Sequence, residues 1–370
     1  MLSLRNFWRR HRRKLFVTVG VLGSGYAMYK LYHAHKQRLF DLEREFEGGR
    51  ATDELIKAQL QAHFGNIQRV ADSITLPSSM HYLRSRISEE LDHSPLIAKL
   101  EQGKGQPSTL TSLEKQQLWE RLKILSFTSM VLSLWAMTLL SLYIRIQVNI
   151  LGRHLYIDTA RDLESSHLLE ETDPFERHSQ QEFLATADYL SGDGMNTLIS
   201  DMQTAAAEVL KGKQLRDLLN TSQLHETIVQ ILDIFMSVGA PNHWVTYLMP
   251  ENAISYKHQM ATSSSVLLPD VTKLDQLLVE TRAVLLSDDF SNVVTISLRT
   301  VVDALMDDFG LQLGGNSSRG IPLAKLLPRV AQMGPLLLEE PGSNRFIQII
   351  RRLPEVEVFY TLLYANMPPS

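Results

Sequence analysis

Hydrophobic positions are densest in one stretch near the middle of the chain, residues 113–156. It begins with the amphipathic segment LEKQQLWERLK, continues as ILSFTSMVLSLWAMTLLSLYI and closes with RIQVNILGRHLY. No charged residue lies between Lys123 and Arg145, and proline is absent throughout. As one helix the stretch would be about 65 Å long. Its serines and threonines and its amphipathic flanks favour a core helix that other helices wrap on all sides over a membrane span.

Helical patterns with one apolar face account for most of the remaining chain. They predict helices at about 52–76, 78–91, 94–102, 180–190, 195–210, 215–238, 271–286, 289–313, 322–333 and 345–364. Pro328 is expected to kink or end its helix, and Pro354 to interrupt the last one. No segment shows sustained strand alternation. We therefore expect an all-α fold, a single helical bundle wrapped around one long central helix.

The N-terminus reads as a membrane anchor. Residues 15–32, LFVTVGVLGSGYAMYKLY, are apolar except for Lys30, and their length nearly matches a membrane span. The following histidines make a poor signal-peptide cleavage site, and the run lacks the polar positions of a surface helix. A basic cluster precedes it, formed by Arg9, Arg10, Arg12, Arg13 and Lys14. We expect a basic targeting segment at 1–14, an anchor at 15–32, a juxtamembrane helix or linker at 33–50 and a large all-helical domain at 51–370.

The composition and the missing motifs exclude several classes of functional site. Hydrophobic residues make up 44% of the chain, charged residues 21%, and the net charge of −4 gives no argument for nucleic-acid binding. The chain has no cysteine, which excludes disulfides and thiolate chemistry. Phosphate loops, dinucleotide fingerprints and hydrolase or zinc-protease motifs are also missing. We expect no enzyme, no cofactor, no metal site and no small-molecule substrate.

One group of side chains points to a partner. Lys115, Trp119, Leu122 and Lys123 are spaced to share one face of the central helix, ahead of its apolar run. Lysine is rarely buried, so this tryptophan is expected outside the deep core. One interpretation is a tryptophan at the domain edge, covered by lysine stems. The other is a binding hot spot that takes the apolar side of a partner helix, with the lysines facing acidic residues at its rim.

Several blocks resemble the peroxin three family, the peroxisomal membrane protein biogenesis factors. RLKILSFTS and YIRIQVNILGRHLYID are similar to the family's core, and NFWRRHRRKLF to its membrane-targeting start. LSGDGM, LLVETRAVLLSDDFSNVV and IPLAKLLPRV resemble further family blocks, in the same order along nearly the whole chain.

The resemblance implies a single anchor in the peroxisomal membrane and an all-α domain in the cytosol. It also implies a groove for an amphipathic helix of peroxin nineteen, the farnesylated import receptor for peroxisomal membrane proteins. The matching groove positions are Trp119, Lys115, Leu122, Lys123, Leu155, Leu215, Leu100 and Ile97. The excess of positive charge before the anchor predicts the opposite orientation, but that rule describes translocon insertion, so we follow the family.

The leading expectation is therefore a membrane-anchored docking receptor that supports insertion of peroxisomal membrane proteins. The alternative is a channel or transporter subunit with a second span at 124–144.

Overall fold

The computed structural model describes residues 71–105, 111–164, 182–192, 194–254, 268–312 and 320–365, and positions 62, 65, 69, 180 and 256. The expected targeting segment, anchor and juxtamembrane linker, with Arg9, Arg10, Arg12, Arg13 and Lys14, lie outside these residues. The described part is built almost entirely of helices. The prediction of an all-α fold around one long helix is confirmed.

Eleven α-helices and one pair of short strands are described. A π-helical turn, Ala71–Thr75, leads into the first helix, and a 3-10 turn, Thr186–Tyr189, precedes the fourth. In chain order the elements are α1 Leu76–Glu90, α2 Ser94–Gly105, α3 Ser112–Glu164, α4 Gly194–Leu210, β1 Leu218–Leu219, α5 Thr221–Ser237, α6 Val245–Leu248, α7 Leu268–Leu285, α8 Asp288–Gln312, β2 Ile321–Pro322, α9 Leu323–Leu337, α10 Arg345–Arg351 and α11 Pro354–Ala365. The strands pair antiparallel, Leu218 opposite Pro322.

Helix α3 is the axis of the molecule. It begins at a capping box, in which Thr111 Oγ1 accepts from the Glu114 amide and Glu114 Oε2 accepts from the Thr111 amide at 2.7 Å. Every residue of 126–153 is buried, and each of the other α-helices contacts α3. An amphipathic helix would show one buried stripe. Over residues 126–153 this helix is buried on every face because other helices surround it.

The serines of the apolar run have a packing role. Helix α9 packs closely along α3, and a Cβ on Gly334 would lie 3.0 Å from Ser129 Oγ and 3.3 Å from Ser133 Oγ. Small residues therefore face each other where the two helix backbones approach most closely. Other hydroxyls of the run bond within α3, as Ser126 does to the Leu122 carbonyl at 2.7 Å. The polar residues that lower the hydrophobicity of the run are thus compatible with a buried helix.

Buried polar groups fasten the last helix to α3. The Tyr360 hydroxyl donates to the Leu142 carbonyl at 2.6 Å, and the Arg145 guanidinium lies 4.3 Å above the Tyr360 ring. Arg153 Nη1 donates to the Leu363 carbonyl at 3.0 Å, and Arg153 also pairs with Glu280 of α7. Burial raises the pKa of the Tyr360 hydroxyl, which keeps it protonated as a donor.

Pro328 does not end its helix, which was one of the two effects expected of it, and the predicted helix start at 215 is wrong. Helix α9 continues through both Pro328 and Pro335, because its buried face against α3 offsets the cost of the proline rings. Residues 215–219, predicted to begin a helix, form a turn and strand β1 instead. Their carbonyls are used by α9: the amides of Leu323 and Ala324 donate to Asp217 and Leu215, each at 2.9 Å.

The span expected under the channel alternative lies inside the bundle. Among the described residues, one helical segment, Ser112–His154, is long and apolar enough to cross a membrane. However, 89% of its most apolar window is buried within the protein. The faces that would have to meet lipid contact other helices instead.

Candidate functional site

The front of α3 carries a small apolar cluster of its own. Helix α2 presents Leu96 and Leu100, one helical turn apart, to Leu122 on α3. The partly buried Leu118, Trp119 and Leu125 pack around these three residues. We call these six residues the Trp119 cluster. Leu100 and Leu122 are only 8% and 7% exposed, so they support the surface from below and are not open to a partner directly.

The accessible side of this region is formed by other residues. Trp119 is half-buried and packs against both its own cluster and the main core. Lys115, one turn earlier on α3, is also half-buried. Ile97, on the outward face of α2, and Leu113, in the first turn of α3, remain 42% and 65% exposed. The region therefore combines a tryptophan edge, a lysine and the exposed side chain of Ile97, whereas Leu113, six positions before Trp119, lies on another face of α3.

The expectation that Lys123 lies at an exposed rim is wrong. Its side chain is only 2% exposed, among the most deeply buried large side chains described. Its Nζ donates to the carbonyls of Lys213 at 2.6 Å and Leu210 at 3.3 Å, and pairs with Glu120 Oε2 at 2.7 Å. The physical reason is that the carbonyls of Leu210, the last residue of α4, and of Lys213, just beyond it, face α3 and provide acceptors that compensate for burying the ammonium group.

Residues 211–217, which we call the 211–217 connection, lie beside the Trp119 cluster. Lys123, on the next turn of α3 after Trp119, bonds to this connection through the Lys213 carbonyl. Leu215 within it is partly buried against the main core. Lys211 and Arg216 are exposed and Lys213 is half-buried, so the connection carries three basic side chains. Leu215 therefore belongs to a segment that Lys123 bonds to α3, and its place in one groove with Trp119 stays a prediction.

Leu155 is not brought to this region. It lies on α3, and its side chain is outside the described set. Thirty-six positions separate it from Trp119, which corresponds to about 54 Å along a helix axis. One short partner helix does not bridge that separation. The implied groove position at Leu155 is therefore spatially separate from the other seven.

His93, at the junction of α1 and α2, is hydrogen-bonded to Leu125 of the Trp119 cluster. Burial lowers the pKa of His93, and a hydrogen bond to the backbone of Leu125 opposes that shift. A neutral imidazole suits a position between helices, beside the apolar cluster. Among the residues that the structure describes, no three His, Asp or Glu side chains are grouped to hold a metal ion.

Sequence reasoning missed part of this region. The Thr111-x-x-Glu114 capping box, which fixes where α3 starts, was readable from the sequence. So was Gly212, whose φ of +88° ends α4 in the left-handed conformation that glycine adopts readily. The contacts of Lys123 with residues almost ninety positions away had no local signal.

Comparison with known proteins identifies the family. The Peroxin-3 family profile matches residues 71–366, most of the chain. The chain belongs to the Peroxin-3 family. Peroxisome biogenesis protein 3-2 of Arabidopsis thaliana is 55% identical over 366 residues, covering 99% of both chains. Peroxisomal biogenesis factor 3 of Homo sapiens is 29% identical over 388 residues, covering 98% of this chain and 96% of the human protein.

The relatives span plants, animals and fungi. Peroxisomal biogenesis factor 3 of Yarrowia lipolytica is 22% identical over 438 residues, covering 98% of this chain and 99% of the yeast protein. The family consists of biogenesis factors with a role at the peroxisomal membrane. The resemblance read from the sequence blocks is confirmed.

Proposed function

We propose that this protein is a docking receptor on the peroxisomal membrane. Its partner is an amphipathic helix of peroxin nineteen, the farnesylated import receptor for peroxisomal membrane proteins. Docking delivers the receptor and its cargo to the membrane, where the cargo inserts. A single anchor at 15–32 holds the protein, the basic segment before it directs targeting, and the helical domain faces the cytosol.

Trp119 is the observation that carries this proposal. It is a large aromatic side chain, half-buried, with Lys115 one turn away on α3 and the exposed Ile97 on α2. Buried support beneath a partly exposed tryptophan is the usual setting of a binding hot spot. Partner helices lay an apolar face on such surfaces.

The basic side chains of this surface indicate the charge expected beside the apolar face of the partner helix. Lys115 lies on α3, and Lys211, Lys213 and Arg216 lie on the 211–217 connection. Acidic residues flanking the apolar face of the partner helix would complement them, raising the association rate at low salt. An acidic, amphipathic helix is therefore the segment that this surface fits.

Truncating Trp119 tests the function. We expect Trp119→Ala in the full-length protein, purified in mild detergent, to weaken binding of a labelled peroxin nineteen helix by about 2 kcal/mol or more. That corresponds to roughly a thirtyfold rise in Kd. Fluorescence anisotropy gives the affinity, and thermal unfolding of the same sample shows whether the fold is intact.

Trp135→Phe is the matched control. Trp135 is fully buried and donates to Met236 Sδ at 3.2 Å, so its replacement should lower the melting temperature and leave peptide affinity close to wild type. Unchanged peptide affinity in a folded Trp119→Ala protein would remove this surface as the docking site.

A further inference from the structure

Lys123 occupies a position where three parts of the chain meet. Its ammonium group contacts the carbonyls of Leu210, the last residue of α4, and Lys213, in the 211–217 connection. Glu120, one turn earlier on α3 and 43% exposed, pairs with the same ammonium. A cation at this place also opposes the negative end of the α4 dipole. The side chain is too deeply buried to meet a partner's charge.

The 211–217 connection is a bonded unit. Asp217 Oδ2 accepts from the Gln214 amide at 2.6 Å, and the Lys213 amide donates to the Leu210 carbonyl at 3.1 Å. The carbonyls of Leu215 and Asp217 accept from the first two amides of α9. These bonds satisfy orphan donors at the start of that helix. The connection therefore links the end of α4 to the start of α9, and Lys123 fixes both to α3.

We propose that Lys123 is a positioning residue for docking: it holds the 211–217 connection beside Trp119 and makes no contact with the partner itself. The proposal rests on the docking function above. Leu215 and the basic side chains of the connection reach the partner only when the connection stays against α3. Loss of Lys123 acts on docking through the geometry of the connection.

Lys115 provides the contrast that makes this testable. It lies two turns before Lys123 on the same face, but it is half-buried and belongs to the surface. Added salt weakens a direct charge contact with a partner, whereas it has little effect on the buried hydrogen bonds by which Lys123 holds the connection. We call this holding role of Lys123 the strut. The two lysines should therefore differ both in the salt dependence of binding and in the mobility of the connection.

Hydrogen exchange by mass spectrometry, on the full-length protein in detergent without peptide, tests the strut. We expect Lys123→Met to accelerate exchange of peptides covering 211–217 and the first turn of α9 by at least about tenfold, because charged hydrogen bonds hold them. A peptide covering α10 serves as the internal reference. Lys115→Met should leave exchange of the connection at the wild-type rate.

Peptide binding is then measured with the labelled helix at low and high salt. We expect Lys123→Met to weaken affinity by about tenfold at both salt concentrations, and Lys115→Met to weaken it chiefly at low salt. Unchanged exchange in folded Lys123→Met overturns the strut. Faster exchange with wild-type affinity overturns its role in docking.

Two further outcomes are separable. If Lys123→Met does not fold, Lys123→Gln, which keeps an amide donor but loses the ammonium charge and shortens the side chain, must still accelerate exchange of the connection, because the charged bonds to the Leu210 and Lys213 carbonyls are lost. A wild-type rate overturns the proposal. If the wild-type protein does not bind the peptide, the docking function fails, together with the role assigned to Lys123 in it. The exchange experiment still decides whether Lys123 holds the connection.

Discussion

Asp188 is a carboxyl group with unusual surroundings. It lies in the 3-10 turn Thr186–Tyr189, against Ser79 of α1. Burial raises the pKa of its carboxyl to about 6, and the hydrogen bond from Ser79 opposes that rise. An acid whose pKa is higher in the folded state binds its proton more tightly there than when unfolded. Its contribution to stability is therefore full below the unfolded value of about 3.9 and is lost as pH rises towards 6.

We expect Asp188→Asn to stabilise the protein in a pH-dependent way. The gain in unfolding free energy should be small near pH 4, grow up to about pH 6 and stay level above it. Its ceiling is about 3 kcal/mol, since one pKa unit corresponds to about 1.4 kcal/mol. Thermal unfolding of wild type and variant across pH 4–8 measures the difference. Ser79→Ala is the control, since removing its hydrogen bond should raise the pKa of Asp188 further and extend to higher pH the range over which stability falls. A gain that does not vary with pH would contradict the pKa assignment.

At the residue scale, average burial statistics predict some positions and fail at others. Trp119 is half-buried, consistent with its flanking lysine at position 115 and with its place ahead of the apolar run. Lys123 shows the failure, because the same reasoning placed it at the surface. Its burial depends on carbonyls of Leu210 and Lys213, which only the folded chain brings within reach. No window of sequence around position 123 contains that information.

At the element scale, helix ends are fixed by side chains that bond to backbone. Asn344 is the strongest example: it is 2% exposed, and its Oδ1 accepts from the amides of Phe346 and Ile347 at the start of α10. Its Nδ2 donates to the carbonyl of Leu337, the last residue of α9, at 2.9 Å. One buried side chain thus ends one helix and begins the next.

We expect Asn344→Ala to destabilise the protein by about 3 kcal/mol, combining a lost N-cap with buried backbone groups left unsatisfied. Asn220→Ala, which breaks the capping box of α5 with Gln223, is the matched control and should cost about 1 kcal/mol. Urea unfolding of both variants gives the comparison. Equal losses would show that the bond to Leu337 contributes nothing beyond ordinary capping.

Helix boundaries that depend on local sequence signals could be predicted. Helix α4 ends at Leu210 as predicted, and α8 was predicted to within one residue at each end. The misassigned segment 215–219 has apolar residues at helical spacing. Its backbone is nevertheless hydrogen-bonded to β2 and to the first turn of α9, which lie about a hundred positions later in the chain. Pairings between distant segments are the part of the fold that periodicity does not encode.

At the scale of the whole molecule, one sequence feature admitted two architectures. The apolar run of α3 has the length and composition of a membrane span, and the channel alternative rested on that. The surrounding helices decide between them, because they cover residues 126–153 of α3 on every face. The Tyr360 hydroxyl bonds to α3, and Lys123 and Arg153 of α3 bond to the surrounding chain. A helix that spans a bilayer contacts lipid, so it does not need other helices to bury its apolar faces. The burial of α3 therefore argues against a second span at 124–144, and the proposed anchor at 15–32 lies outside the described residues.

That division of roles predicts how the protein behaves without its N-terminus. We expect residues 37–370, expressed and purified without detergent, to elute as a single species on size-exclusion chromatography and to show a helical circular dichroism spectrum. The reason is that the apolar surface of α3 is already removed from water by the bundle, so deleting the proposed anchor exposes no second lipid-facing segment within the described residues. The full-length protein is the control and should require detergent. Obligate detergent dependence of the shortened chain would revive a second membrane span at 124–144.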